Sequence, residues 1–184
     1  MNFLVNKNFF VSEKSSLEEF KKAVKLGLDL RLTVRKIEDG TLVVYASEAL
    51  KNSDGYLATL KKEDLKQHKI ATLEEVLKLA NGKCNVLLEV VSACTDFVNN
   101  GKMERQIVAF MENFNGEWAV ESTNPYVVMW FKLHAPTVVR GQKSSKPCSI
   151  KRFFKKAEPN FVSLDEKYVK KIERKFKGLV VLAV

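Results

Sequence analysis

The chain has 184 residues, of which 46% are hydrophobic and 29% are charged, and its formal net charge is +9. This length allows one domain with a sizeable core, and the composition is typical of a globular protein. No apolar run approaches the roughly 20 residues that a membrane-spanning helix needs, and the first residues lack the basic and apolar regions of a signal peptide. We therefore predict no membrane span and a cytoplasmic location.

The excess of basic residues favours anionic and phosphate-bearing ligands. However, these residues are spread over most of the predicted helices, and no nucleic-acid-binding motif is present. The basic, aromatic stretch at residues 151–156 also fits an ordinary amphipathic helix, so we predict no nucleic-acid site. The three cysteines, Cys84, Cys94 and Cys148, are odd in number and lack the spacing of a metal site, which predicts reduced thiols.

The first half of the chain contains a helix and a tightly connected pair of strands. Residues 3–5 are predicted to form a short first strand, and a helix follows from a cap at Ser15 or Ser16. Apolar and polar residues alternate over 28–34, which predicts a strand. The dipeptide Asp39-Gly40 then predicts a tight turn into a second strand at 42–45. A later helix begins with a capping box made by Thr72 and Glu75.

From residue 85 onward, predicted strands and helices alternate. The predicted strands cover residues 85–91, 118–122, 137–141, 160–164 and 179–184, and the predicted helices cover 103–114, 125–134, 149–156 and 168–176. Such alternation indicates a parallel sheet with right-handed crossovers. We predict a single domain over residues 1–184, a small (β/α)8 TIM barrel that lacks the last helix. Its eight strands would begin near Phe3, Leu28, Leu42, Val86, Trp118, Thr137, Asn160 and Leu179.

Several segments resemble the glycerophosphodiester phosphodiesterase family in order and spacing. Matching segments are Asp39-Gly40 with Leu42-Val43-Val44, residues 70–77, Ser122-Thr123-Asn124-Pro125, Arg140-Gly141-Gln142, and residues 159–165. The resemblance covers essentially the whole chain. It implies a barrel whose relatives hydrolyse glycerophosphodiesters to glycerol 3-phosphate and an alcohol. In that family two histidines act as acid and base, and carboxylates hold a divalent ion such as Ca²⁺ or Mg²⁺.

The functional positions of that family fall on other residue types in this chain. The first histidine motif falls on Asn6-Lys7-Asn8 and the second histidine falls on Ala46. The Glu and Asp metal ligands fall on Arg31 and Thr33, whereas Glu89 keeps the third ligand. Asparagine cannot exchange a proton near neutral pH as histidine does, and a cation in a ligand position repels a metal. The resemblance therefore predicts a pseudoenzyme with no catalytic residues, no metal and no cofactor.

Two further features complete this comparison with the family. The lysine that follows the third ligand in the family falls on Val91, and is lost. The two histidines of this chain, His68 and His134, are predicted to lie on the surface, in a loop and at a helix end.

Residues Arg31 and Thr33 share one strand face and should point into the barrel mouth. A buried arginine needs a partner, and Glu89 is the expected one. Two hypotheses follow. Either an ion pair between Arg31 and Glu89 replaces the metal and holds the barrel together, or Lys7 and Arg31 form a metal-free site for a phosphate or phosphodiester.

Three classes of function remain open at this stage. The first is a non-catalytic barrel that binds a phosphorylated small molecule or a partner protein. The second is an active phosphodiesterase of lipid metabolism that uses non-standard residues such as Glu89 with Glu121. The third is a structural scaffold. A missing last helix would expose an apolar flank, which a second copy or a partner protein could cover.

Overall fold

The computed structural model describes residue 4 and residues 9–12, 15–47, 49–50, 55–92, 101–144, 157–175 and 180–183. The strands of this structure are β1 (Phe9–Val11), β2 (Asp29–Lys36), β3 (Leu42–Val44), β4 (Val86–Val90), β5 (Trp118–Ser122), β6 (Val139–Ser144), β7 (Phe161–Leu164) and β8 (Val180–Ala183). The α-helices are α1 (Leu17–Lys25), α2 (Leu65–His68), α3 (Leu73–Ala80), α4 (Lys102–Met111), α5 (Pro125–His134) and α6 (Glu166–Lys175). The helix predicted over 149–156 lies outside the described residues.

Seven of the strands form a parallel sheet in the order β1-β2-β4-β5-β6-β7-β8. Helices alternate with these strands along the chain, as in a TIM barrel. The parallel, alternating architecture predicted from the sequence is therefore confirmed. All carboxyl ends of the seven strands lie at one edge of the sheet, which we call the mouth.

The strand β3 does not belong to this parallel series, so its prediction as a barrel strand is wrong. It pairs antiparallel with β2, with Val34 opposite Val44. The reason is the tight turn at Asp39-Gly40, where Gly40 has a φ of +87°. A tight hairpin reverses the chain, whereas a parallel pair needs a crossover of a dozen or more residues. The next parallel neighbour of β2 is therefore β4.

Of the predicted first strand at residues 3–5, the structure describes only Leu4, which does not lie in a strand; Phe3 and Val5 lie outside the described residues. Leu4 is helical and fully buried, and the first described strand is β1 at Phe9–Val11. β1 pairs in parallel with β2, with Val11 opposite Arg31. The residues at the mouth end of β1 are thus Val11 and Ser12.

The two faces of the sheet are covered differently. The outer face packs against α1, α3, α4 and α5 in the largest apolar cluster, which includes Leu32, Leu88 and Val120. The inner face carries a smaller apolar cluster of Leu4, Leu87, Ala119, Phe161 and Leu182. Alternation of side chains along each strand separates the two clusters. Polar residues replace apolar ones on the inner face nearer the mouth.

Local features agree with the sequence at two positions. Thr72 and Glu75 form the predicted capping box of α3, with the Glu75 backbone N–H donating to Thr72 Oγ1 at 3.2 Å. Cys84 is a buried free thiol, and burial together with the nearby Asp29 raises its pKa to about 11. Cys94 and Cys148 lie outside the described residues. Within the described parts of the chain, no helix is long and apolar enough to span a membrane.

Candidate functional site

Three neighbouring strands place polar side chains in one row on the inner face. The register aligns Thr33 of β2 with Glu89 of β4, and Glu89 with Glu121 of β5. Arg31 lies one row further from the mouth, level with Leu87. Lys143 of β6 lies one row nearer the mouth, because Gly141 is the residue level with Glu121. The carboxylates of Glu89 and Glu121 thus lie between two cations: Arg31, one row further from the mouth, and Lys143, one row nearer to it.

The inner pair consists of Arg31 and Glu121. The Arg31 Nε donates to Glu121 Oε1 at 2.9 Å, and Nη2 donates to the same oxygen. The other oxygen, Oε2, accepts a hydrogen bond from the Ser163 hydroxyl on β7. The Arg31 side chain is 10% exposed and that of Glu121 is fully buried. Both oxygens of the carboxylate are therefore occupied within the protein.

The outer pair consists of Lys143 and Glu89. The Lys143 Nζ donates to Glu89 Oε1 at 2.7 Å, and the Thr33 hydroxyl lies 3.3 Å from Glu89 Oε2. The Lys143 side chain is 27% exposed and that of Glu89 is 13% exposed. The outer pair is therefore more exposed to solvent than the inner pair.

The two pairs interleave across the sheet. In the order β2-β4-β5-β6, Arg31 reaches past β4 to Glu121 on β5, and Lys143 reaches past β5 to Glu89 on β4. Each cation thus skips the strand next to its own. The two ion pairs connect four strands, and we call the four side chains Arg31, Glu89, Glu121 and Lys143 the clasp.

The predicted ion pair between Arg31 and Glu89 is wrong. Glu89 lies one row nearer the mouth than Arg31 and is held by Lys143, whereas Arg31 bonds to Glu121. Lys7, the other member of the predicted anion site, lies outside the described residues, as do Asn6 and Asn8. These three residues precede β1, so they do not supply the residues that end this strand.

Ala46, where the sequence placed the family's second histidine, follows β3 and a residue bonded to the backbone of Thr33. The Tyr45 backbone N–H donates to the Thr33 carbonyl at 2.9 Å. The Arg35 guanidinium donates to the carbonyls of Tyr45 and Ala46 at 3.2 and 3.3 Å. Arg35 thus fixes the chain after β3, and Ala46 itself is exposed and carries no reactive group.

The two histidines are not hydrogen-bonded to these carboxylates. His134 is exposed at the end of α5, where its ring stacks on Trp130 with a centroid separation of 4.7 Å. This helix leads into the beginning of β6, at the edge of the sheet opposite the mouth. His68 ends α2 and is half-buried. Neither ring contacts Glu89 or Glu121, whose hydrogen-bond partners are given above.

The motif Arg140-Gly141-Gln142 has structural contacts. The Arg140 guanidinium donates to the carbonyls of Pro136 and Glu158 at 3.4 and 3.1 Å, and its partial burial lowers its pKa. The Gln142 side-chain amide donates to the carbonyls of Ser122 and Thr123 at 2.9 and 3.1 Å. These side chains connect loops to strands on either side of β6.

The residues at the mouth do not fit the divalent ion that the family resemblance implies. A hard divalent cation requires several oxygen ligands, preferably carboxylates. Here Glu89 and Glu121 are the nearby carboxylates, and each is neutralised by a cationic side chain of the protein. The described residues contain no group of three or more His, Cys, Asp or Glu side chains placed to hold a metal ion.

Sequence reasoning did not identify Lys143 and Ser163 as members of this cluster. The strand containing Lys143 was predicted to end at Gly141, although β6 continues to Ser144. The period-2 pattern of Val139, Gly141 and Lys143 is the signal that would have placed the lysine on the inner face. Ser163 lies on a correctly predicted strand, but a single serine carries no sequence signal of its partner.

The sequence matches no protein-family model and no curated protein. Solved structures, in contrast, share its fold. A phosphodiesterase from Oleispira antarctica, solved in complex with the product sn-glycerol-3-phosphate, matches with a TM-score of 0.80 and 16% identity, over 94% of this chain and 79% of that one.

Two glycerophosphodiester phosphodiesterases give similar results. The protein from Thermotoga maritima matches with a TM-score of 0.68 and 20% identity, over 92% of this chain and 78% of that one. The protein from Parabacteroides distasonis matches with a TM-score of 0.69 and 17% identity, over 95% of this chain and 79% of that one. The chain therefore has the fold of the glycerophosphodiester phosphodiesterases, as the sequence resemblance predicted.

Proposed function

We propose that this chain is a glycerophosphodiester phosphodiesterase-like barrel that does not hydrolyse diesters and binds a phosphorylated small molecule at its mouth without a metal. The observation that carries the first part is the clasp. Arg31 forms an ion pair with Glu121, and Lys143 forms one with Glu89. Both carboxylates are therefore neutralised by the protein, which disfavours their binding of a divalent ion. Where the resemblance expects a second histidine as acid or base, Ala46 has neither function.

The binding of a phosphorylated molecule is supported by charge and by the similarity in fold. The net charge of the chain is +9, and the mouth contains an ammonium group that meets solvent. The Oleispira antarctica phosphodiesterase of the same fold was solved with sn-glycerol-3-phosphate. A cytoplasmic location and a role close to lipid metabolism belong to the same proposal.

The first experiment is a hydrolysis assay with glycerophosphodiesters in the presence of Ca²⁺ or Mg²⁺. We expect no release of glycerol 3-phosphate above that of a Glu89→Gln, Glu121→Gln double variant. A rate that requires a divalent ion and is lost in the single variant Glu89→Gln would favour the alternative, an active phosphodiesterase that uses these two carboxylates.

The second experiment is thermal melting with glycerol 3-phosphate, because a ligand that binds only the native state raises Tm. We expect a rise with glycerol 3-phosphate that is the same with and without a chelator. An unchanged Tm, combined with an oligomer in light scattering, would favour the structural scaffold instead.

A further inference from the structure

We propose that Lys143 is the residue that binds the phosphate group, that Glu89 competes with the ligand for it, and that Arg31 is a structural residue. This inference rests on the proposed binding of a phosphorylated molecule. It reverses the prediction from the sequence, in which Arg31 was the anion ligand. The basis is the contrast between the inner and outer pairs.

Arg31 has little capacity to receive a ligand. Two of its donor nitrogens, Nε and Nη2, bond to Glu121, and its side chain is 10% exposed. A phosphate that took Arg31 would leave the Glu121 carboxylate charged and fully buried, with the Ser163 hydroxyl as its remaining partner. A buried carboxylate that loses its cation raises the free energy of the folded protein, so a phosphate is not expected to displace Glu121 from Arg31.

Lys143, in contrast, is placed to bind a phosphate. Its ammonium group has three donors, and within the described parts of the chain Glu89 is its one hydrogen-bond partner. It lies one row nearer the mouth than the carboxylates, and its flexible stem allows the ammonium group to turn toward a ligand. The partner that it would leave, Glu89, is partly exposed and keeps a contact with the Thr33 hydroxyl.

Competition between Glu89 and the ligand for Lys143 has a measurable consequence. In the free protein Glu89 accepts a hydrogen bond from Lys143 at 2.7 Å, and this contact competes with a phosphate for the ammonium group. Replacing the carboxylate with an uncharged amide of the same shape weakens the competition, because the amide oxygen is a weaker acceptor, and removes the negative charge that repels the ligand. The variant Glu89→Gln should therefore bind phosphate more tightly than the wild type. A metal-dependent site would behave in the opposite way, because it would lose a ligand.

The test is isothermal titration calorimetry of the intact chain with glycerol 3-phosphate and, separately, with inorganic phosphate. The variants are Lys143→Gln, Glu89→Gln and the control Lys170→Gln, in which an exposed lysine of α6 loses its charge. We expect Kd to rise at least tenfold in Lys143→Gln, to fall severalfold in Glu89→Gln, and to stay within twofold in the control. Both probes should show the same order, because they share the phosphate group. Melting of each variant without ligand confirms that it is folded.

The outcomes separate this inference from the proposed function. If the wild type binds and Lys143→Gln binds equally well, or if Glu89→Gln binds more weakly, the assignment of Lys143 is wrong while the phosphate site stands. If neither the wild type nor Glu89→Gln binds either probe, both the site and the assignment are wrong. If the control weakens as much as Lys143→Gln, the effect is one of total charge and the assignment is wrong.

Discussion

The inner and outer pairs use the same kinds of charge in different surroundings. In the inner pair, a guanidinium that is 10% exposed meets a fully buried carboxylate whose second oxygen is also bonded. In the outer pair, an ammonium that is 27% exposed meets a carboxylate that is 13% exposed. Arginine suits the first position because its planar fork supplies fixed donors, and lysine suits the second because it is a mobile point charge. Charge alone therefore does not identify a binding residue, since a cation must also be able to leave its partner.

The largest difference between the two pairs should appear in stability. The substitution Arg31→Ala leaves Glu121 buried and without its cation, and the loss of one partner from a buried pair typically costs about 3–5 kcal/mol. For a chain of this size we expect Tm to fall by roughly 6–20 °C. Urea denaturation followed by circular dichroism measures the free energy of unfolding. A loss below about 1 kcal/mol would mean that the inner pair is not buried as described.

Two controls accompany this experiment. The substitution Lys143→Ala should cost only about 0.2–1 kcal/mol, because the outer pair is partly exposed to solvent. The double substitution Arg31→Met, Glu121→Leu should recover most of the loss, because it leaves no unpaired charge in the interior. Failure to recover would assign the loss to the packing of the arginine stem.

The fold was largely predictable from the sequence because its signals are local and repeated. The alternation of strands and helices after residue 85 identified the parallel architecture, and the bounds predicted for α5 agree with the structure. The errors have a common cause. Residues 3–5 and β3 contain apolar and β-branched residues that fit a strand, but such residues do not define which neighbour a strand has. The tight turn at Asp39-Gly40 allows only an antiparallel pair with β2.

The candidate site was predictable only in part. The alternation along β2 predicted that Arg31 and Thr33 share a face, and the family resemblance placed Glu89 at the same mouth. The register puts Thr33 level with Glu89 and Arg31 one row further from the mouth. The partners were not predictable, because they depend on which row each residue occupies. Arg31 lies one row further from the mouth than Glu89, and it pairs with Glu121 instead. Lys143 was left out of the predicted site because the strand that contains it was predicted to end at Gly141. Pairing across several strands is a property of the register rather than of any single segment.

The packing next to the inner pair gives a prediction of intermediate size. Gly141 lies in the same row as Glu121 and is level with Phe161 on β7, the strand that carries Ser163. A Cβ atom at this glycine would lie 2.2 Å from the ring of the fully buried Phe161. The substitution Gly141→Ala should therefore displace this ring and cost about 1–3 kcal/mol. Urea denaturation checks the value, and an unchanged midpoint would mean that this part of the interior is loosely packed.

The smallest effect that we predict is a difference in salt dependence. Salt screens charges that meet solvent, with a Debye length of about 3 Å at 1 M, but it acts much less on buried pairs. The small cost of Lys143→Ala should therefore decrease further between low salt and about 1 M NaCl. The larger cost of Arg31→Ala should stay nearly constant, because the arginine and Glu121 are shielded from the solvent. The measurement is urea denaturation of the wild type and both variants at each salt concentration. Equal salt dependence of the two costs would show that both pairs meet solvent, and Arg31 would then regain its place as a candidate phosphate ligand.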